Sequence, residues 1–207
     1  MRKERLKILL IYRIRSFLIE VSASAVFLLP ILFLLDKLCF HNKKKTALYL
    51  AFTLYLSAVY YITGLPTVSF FRFAPVFNYI LLLDIRSDSS SAVLNIILFV
   101  PLGLILSMLW DGFRKFKSTM LFGLSMSCVI EILQIFTLRA TDINDILTNT
   151  AGTLIGYMLA TVILKCFPRY IHPRSKRIEV YMMCFITVLV MFFFQPYVSA
   201  AFWKVVQ

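Results

Sequence analysis

The sequence is poor in charged side chains. Asp, Glu, Lys and Arg make up 15% of the 207 residues, against about 25% in soluble domains. Hydrophobic residues make up 60%, and phenylalanine alone occurs 20 times. A single small domain of this composition cannot cover its apolar surface with polar groups, because too few are available. The composition therefore excludes an ordinary soluble domain and predicts an integral membrane protein.

Residues that commonly form reactive or metal-binding sites are also few. The two histidines, His41 and His172, have no second ligand at a metal-binding spacing. No C-x-x-C pair occurs, and we expect thiols buried in apolar surroundings. The four cysteines, all within or at the edge of apolar segments, are Cys39, Cys128, Cys166 and Cys184. The sequence predicts no metal site and no cofactor.

The excess of positive charge has a distinctive distribution. The net charge is +12, and the Lys and Arg residues lie in short runs between apolar segments. Membrane proteins use such runs to set their orientation and to contact anionic headgroups. We therefore expect membrane lipids as partners and no nucleic acid.

Several apolar segments are long enough to cross a bilayer, which takes about 20 residues in a helix. They are 16–40, 46–64, 92–110, 119–138, 149–167 and 179–203. The predicted fold class is all-α, a polytopic membrane helix bundle of about 5–6 transmembrane helices.

Two segments leave the path of the chain open. Pro66, Arg72 and Pro75 interrupt 66–84, which is nevertheless too apolar for a free loop, and a re-entrant or interfacial segment is predicted there. Basic groups occupy both 1–15 and 43–45, and one helix between them cannot place both on the same side. Either 1–45 includes an interfacial helix or hairpin, or 66–84 crosses the membrane and one basic loop violates the rule.

The remaining loops predict an orientation. Loops 111–118 and 165–177 are rich in Lys and Arg, whereas 139–148 holds only Arg139 against two aspartates. Positive loops remain inside. We therefore expect 111–118 and 165–177 to be cytoplasmic and 139–148 to be extracellular.

The stretch RATDINDILTNTAG, 139–152, places polar groups between two apolar segments. At 100° per residue, five positions share an arc of about 80°. They are Asp142, Asp145, Asn149, Gly152 and Gly156. Helix capping by Thr141 or Asp142 and close packing by the glycines would explain part of this face. It would not explain Asn149.

The two preceding helices carry polar groups on one face as well. Glu131 lies inside an apolar span, where a carboxylate costs on the order of 2.5–3.5 kcal/mol by insertion scales, so a partner or a polar cavity is expected. In NIILFVPLG, Asn95 and Gly103 share a face, and Pro101 removes a backbone donor. We predict a functional polar cluster of inward-facing side chains. Its members are Asn95, Glu131, Gln134, Arg139, Asp142, Asp145 and Asn149.

These motifs together resemble the VanZ-like family of bacterial membrane proteins. The family pattern has N-x-x-x-F-x-P-x-G, then I-E-x-x-Q, then R-x-x-D-x-x-D-x-x-x-N-x-x-G-x-x-x-G. The matching residues are Asn95, Phe99, Pro101, Gly103, Glu131, Gln134, Arg139, Asp142, Asp145, Asn149, Gly152 and Gly156. The resemblance covers 46–167. We therefore expect a basic segment and extra helix at 1–45, a VanZ-like membrane domain at 46–167, and a basic loop with a last transmembrane helix at 168–207.

The resemblance implies a multipass protein of the bacterial plasma membrane and cell envelope. The founding member of the family is associated with resistance to the lipoglycopeptide antibiotic teicoplanin, and the family supplies no catalytic assignment. The favoured function is lowered susceptibility to such drugs, by action at the outer leaflet on the drug or on a lipid-linked cell-wall precursor.

Other functions remain open at this point. A membrane enzyme could act on a lipid-linked substrate through Glu131, Asp142 and Asp145, by sharing a metal or by general base catalysis. A small proton-coupled transporter could use Glu131, and the cluster could also be purely structural. The sequence has no nucleophile with a partner base and no visible inverted repeat, and we favour a non-enzymatic protein.

Overall fold

Long α-helices carry most of the chain in the computed structural model, which describes residues 2–73, 75–78, 89–167 and 175–206. The helices are α1 (Arg2–Leu35), α2 (Lys43–Ile62), α3 (Ser89–Leu109), α4 (Phe116–Gln134), α5 (Ile143–Cys166), α6 (Arg177–Leu189) and α7 (Gln195–Val206). A π-helical turn at Asp36–Phe40 follows α1, and another at Val190–Phe194 joins α6 to α7. Two short strands, β1 (Phe77–Asn78) and β2 (Thr141–Asp142), pair in parallel.

Helices suited to crossing a membrane confirm the predicted all-α membrane bundle. Within the described ranges, five are long and apolar enough by length and composition. They are Lys7–Phe40, Ser90–Leu109, Phe116–Gln134, Ile143–Cys166 and Arg177–Val205. Helix α2 forms where a helix was predicted, but it is not one of these five.

The chain packs as two compact units. One comprises Met1–Phe71 with Met182–Gln207, and the other comprises Arg72–Tyr181. This division rests on which segments pack together, whereas the boundaries near 45 and 167 were drawn from a resemblance in sequence. Those boundaries remain a prediction.

In the first unit, a tight connection joins α1 to α2. The Asp36 carboxylate accepts hydrogen bonds from the Asn42 backbone N–H at 2.9 Å and from the Thr46 hydroxyl at 2.7 Å. His41 adopts a left-handed conformation with φ of 49°, and Asn42 caps α2 by accepting from the backbone N–H of Lys45. The π-helical turn Asp36–Phe40 continues α1 without a break, so residues 2–40 contain no hairpin.

A carboxylate also connects α1 to α7 within this unit. Glu20 accepts hydrogen bonds from the Gln195 amide, from the Ser199 hydroxyl at 2.7 Å and from the Trp203 indole N–H at 3.3 Å. Three donors from one helix face thus satisfy a charged group inside a predicted span. Such pairing is what a carboxylate inside a membrane helix requires.

The segment predicted to be re-entrant or interfacial is described at 66–73 and 75–78. Its backbone is irregular there, with paired hydrogen bonds between Thr67 and Phe70 and no spanning helix. The Tyr60 hydroxyl donates to the Pro66 carbonyl, and the Val68 N–H donates to the Phe192 carbonyl at 2.9 Å. Protein carbonyls and hydroxyls thus satisfy irregular backbone, as a membrane environment demands. Residues 79–84 of this prediction lie outside the described ranges.

The second unit is built on the close packing of α3 against α5. A Cβ atom at Gly103 would collide with the Thr153 carbonyl of α5, and one at Gly156 would collide with the Val100 carbonyl of α3. Only glycine lets the two backbones approach this closely. Apolar side chains fill the space around the crossing, and Phe99, Leu102, Leu106, Ile130 and Ala160 are among those that are buried.

Two basic segments meet at one end of this unit. The Arg177 guanidinium donates to the Gly112 carbonyl at 2.6 Å and to the Ser118 hydroxyl at 3.1 Å. The Tyr157 hydroxyl, near the end of α5, donates to the Arg114 carbonyl at 3.2 Å. The connection 110–115 and the start of α6 therefore lie together. We call this the basic end.

Candidate functional site

The predicted polar residues gather at the other end of the second unit, where α3 begins, α4 ends and α5 begins. Beyond Gln134 the chain tightens into successive turns, because the N–H groups of Ile135, Phe136 and Thr137 bond to carbonyls three residues earlier. The chain then runs beside β1, and the Thr141 N–H donates to the Val76 carbonyl at 2.8 Å. Helix α5 therefore starts at Ile143, six residues before the predicted span at 149–167.

Glu131 is buried, with a side chain only 3% exposed. Its carboxylate accepts a hydrogen bond from the Asp142 backbone N–H at 2.8 Å, and its carbonyl accepts one from the Thr141 hydroxyl at 3.1 Å. No Lys or Arg among the described residues forms an ion pair with it. Glu131 thus holds the polypeptide at the point where α5 begins.

Asp142 is the N-cap of α5. One carboxylate oxygen accepts from the Asn144 backbone N–H at 2.7 Å, which satisfies a donor left over at the helix start. The other oxygen accepts from the Asn78 side-chain amide at 3.0 Å. Asn78 was not predicted as a site residue. It lies in the irregular segment 66–84, and no helical periodicity marks its face there.

Two further hydrogen bonds tie the helices to one another. The Asn95 amide of α3 donates to the Asp145 carboxylate of α5 at 2.7 Å. The Asn149 amide of α5 donates to the Ser127 hydroxyl of α4 at 2.9 Å, and both residues are buried. Asn149 therefore has a structural role apart from helix capping and glycine packing, because its hydrogen bond joins α5 to α4.

Gln134 and Arg139 occupy different environments. Gln134 is the last residue of α4 and is buried. Arg139 was expected to face inward, and this prediction is wrong. Its side chain is exposed, because the residue lies in the turn after α4 and does not continue the face of that helix.

The predicted packing residues lie one to several turns deeper. Pro101 and Gly103 are inside α3, which runs unbroken from Ser89 to Leu109. A Cβ atom at Gly152 would meet the Ile96 carbonyl, and one at Gly156 the Val100 carbonyl. These contacts set the distance between α3 and α5. They thereby bring Asn95 within reach of Asp145.

The chemistry of this end follows from how its carboxylates are used. Glu131, Asp142 and Asp145 accept from different donors, so their oxygens are divided among four contacts. In the described part of the chain, no group of three or more His, Cys, Asp or Glu side chains is arranged to hold a metal ion. The carboxylates hold the loop in place, while the exposed Arg139 presents guanidinium donors that suit a phosphate or a carboxylate.

The long apolar helices, three of which share a buried polar cluster, define a multipass membrane protein. The family model described as VanZ/LLP1 matches residues 46–165. The chain therefore belongs to the VanZ/LLP1 family, as the motifs around Asn95, Glu131 and Asp142 predicted.

One curated relative matches a shorter part of the chain. The chain is 41% identical over 68 residues to Protein VanZ of Enterococcus faecium. The aligned part is 31% of this chain and 40% of that protein, so the chain spans less than half the length of this relative. No solved structure matches the chain.

Proposed function

We propose that the protein lowers susceptibility to lipoglycopeptide antibiotics of the teicoplanin type. It acts at the outer leaflet, on the drug or on a lipid-linked cell-wall precursor. The observation that carries this proposal is the buried junction of Glu131 with the Asp142 N–H, which fixes the loop that presents Arg139. Membership of the VanZ/LLP1 family supports it.

The proposed location is the plasma membrane of a bacterium, with 139–148 outside and with 111–118 and 165–177 in the cytoplasm. The contacts of Arg177 with Gly112 and Ser118 support this orientation, because they place two basic segments at the same end. Basic loops remain on the cytoplasmic side. The polar cluster lies at the opposite end of α3, α4 and α5, which corresponds to the outer face.

Within this proposal, the residues have separate roles. Arg139 binds a phosphate or carboxylate of the ligand, because its guanidinium is exposed and no residue in the described part of the chain pairs with it by hydrogen bond or ion pair. Glu131 is a positioning residue that acts through the Asp142 N–H. The separate engagement of the three carboxylates favours binding over a shared metal. No observation favours an enzyme or a transporter more strongly.

The test is the drug susceptibility of a glycopeptide-sensitive bacterium that expresses the protein. Wild type is compared with Arg139→Ala and Glu131→Gln, for teicoplanin and for vancomycin. Lys117→Ala and Glu4→Gln serve as matched controls, because they remove one charge of each sign from exposed positions that are not part of the polar cluster. The amount of protein in the membrane is measured for every variant.

We expect wild type and both controls to raise the inhibitory concentration of teicoplanin and to leave that of vancomycin unchanged. Arg139→Ala should abolish this protection at unchanged membrane levels. If wild type gives no protection, the proposed function is wrong. If Arg139→Ala protects fully, the function stands but the assignment of the ligand to Arg139 is wrong.

A further inference from the structure

A cleft of about 200 Å³ opens at the basic end of the second unit, away from the polar cluster. It lies between the ends of α3 and α5 and the connection that follows α3. Its lining residues are Ser107, Arg114, Tyr157, Thr161, Leu164 and Lys165. Two of the six are cations and none is acidic.

The hydroxyl groups of this cleft are already engaged as donors. Ser107 donates to the Phe113 carbonyl at 3.2 Å, and Thr161 donates to the Tyr157 carbonyl at 2.9 Å. Tyr157 donates to the Arg114 carbonyl at 3.2 Å. Donors for a ligand must therefore come from the two cations, which favours an anion over a neutral molecule.

The cations have donors to spare. Arg114 pairs with Asp111 through one terminal nitrogen at 3.0 Å, while its Nε is buried and has no acceptor among the residues that the structure describes. Lys165 is exposed, and an ammonium group offers three donors. A guanidinium and an ammonium at one cleft are the usual combination for phosphate recognition.

An apolar strip leads from this cleft along α5. At 100° per residue, Leu154, Met158, Thr161 and Lys165 share a face about 60° wide. Met158 is 59% exposed and Leu154 is 36% exposed. A molecule with its anionic group at Lys165 would therefore lay an apolar tail along Met158 and Leu154, on the surface of a membrane-spanning helix.

We propose that this cleft binds the phosphate group of an anionic phospholipid in the leaflet at the basic end. Arg114 and Lys165 contact the phosphate, and Met158 and Leu154 contact the first part of an acyl chain. Basic pockets between membrane helices bind lipid headgroups in this way. This site is separate from the proposed action at the opposite end, so either proposal can fail without the other.

The experiment measures lipid binding to the purified full chain in detergent by native mass spectrometry. The protein is titrated with phosphatidylglycerol and, separately, with phosphatidylcholine of the same acyl chains. The variants are Lys165→Gln alone and Arg114→Gln with Lys165→Gln. The charge-matched control is Lys115→Gln with Lys117→Gln, two exposed lysines that do not line the cleft. A separate arm adds inorganic phosphate at constant ionic strength.

The expected result is tighter binding of phosphatidylglycerol than of phosphatidylcholine by wild type. Each cleft cation removed should weaken phosphatidylglycerol binding about fivefold, since a cation near an anionic lipid surface contributes about 1 kcal/mol. The Lys115 and Lys117 control should bind like wild type. Lys165→Gln keeps the result interpretable if loss of the Arg114–Asp111 pair unfolds the double variant.

Three outcomes would overturn the proposal. Equal weakening by the cleft variants and by the control would mean that only general charge attraction is at work. Equal weakening of phosphatidylglycerol and phosphatidylcholine binding by Lys165→Gln would mean that Lys165 only neutralises the carboxyl end of α5 and does not contact the headgroup. Displacement of phosphatidylglycerol by inorganic phosphate at comparable concentration would assign the cleft to a soluble phosphate.

Discussion

Gly156 in α5 allows a decisive test of how the second unit is held together. A Cβ atom at this position would overlap the Val100 carbonyl of α3 and would lie 2.8 Å from the Leu104 nitrogen, where ordinary contact begins at 3.4 Å. Both atoms belong to backbone, so neither can rotate away. Gly156→Ala must therefore push α3 from α5.

The sign of the change in the free energy of unfolding on Gly156→Ala distinguishes the effect of packing from that of helix propensity. In an exposed helix, replacing Gly by Ala stabilises by about 0.8–1.0 kcal/mol. Overpacking a close contact destabilises by about 1–3 kcal/mol. At Gly156 the overlap is with backbone, and we expect the overpacking cost to exceed the gain, so that Gly156→Ala lowers the free energy of unfolding.

The assay is equilibrium unfolding in mixed micelles of a mild detergent and increasing sodium dodecyl sulfate, followed by circular dichroism. Gly112→Ala is the comparison variant, because the atoms nearest to its new Cβ belong to the Arg177 side chain and not to backbone. Since a side chain can move where backbone cannot, we expect Gly112→Ala to lower the free energy of unfolding less than Gly156→Ala does. If Gly156→Ala proves as stable as wild type or more stable, the helices are not held at backbone contact and the reasoning is refuted.

The same unfolding assay checks two further predictions, and tryptophan fluorescence checks a third. Glu131→Ala should lower the free energy of unfolding by about 1–3 kcal/mol, because it leaves the Asp142 N–H without its acceptor. Glu131→Gln retains an acceptor and should lower it less. Equal losses in the two variants would contradict the assigned contact. Asn95→Ala and Asp145→Ala should show a coupling energy of about 0.6 kcal/mol in a double-mutant cycle; strictly additive costs would argue against their hydrogen bond. Glu20→Ala should change the wavelength of tryptophan emission, because the Trp203 indole N–H loses its acceptor; unchanged emission would argue against that contact.

The sequence was a better guide to where the helices lie and to which residues gather near Glu131 than to the contacts that those residues make. A carboxylate inside an apolar span requires a partner wherever it lies, so Glu131 could be recognised as buried and engaged. Its partner is a backbone N–H at the start of the next helix. A sequence pattern shows which side chains share a face but not where backbone N–H groups lie. This contact could therefore not be predicted without the structure of the turn at 135–142.

Arg139 shows why one prediction was wrong. Its inclusion among the inward-facing residues assumed that the helix of Glu131 continues for two more turns, to residue 139. Helix α4 ends at Gln134, and the turns that follow break the phase between the two helices. Asp142, Asp145 and Asn149 keep their relation to one another, because α5 and its cap carry them, whereas Arg139 precedes that helix.

The hydrogen bonds of Glu20 have a consequence for the order in which the protein can be completed. The Gln195 amide that binds this carboxylate is synthesised 175 residues after it. At about 5–20 residues per second, the ribosome needs roughly 9 to 35 s to supply that partner. During this interval α1 carries an unsatisfied carboxylate, while the 72–181 unit is contiguous and emerges whole. The unit with separated ends is therefore the last to assemble, and a nascent chain arrested before residue 195 would expose Glu20 to whatever cellular machinery recognises charged groups in unfinished membrane helices.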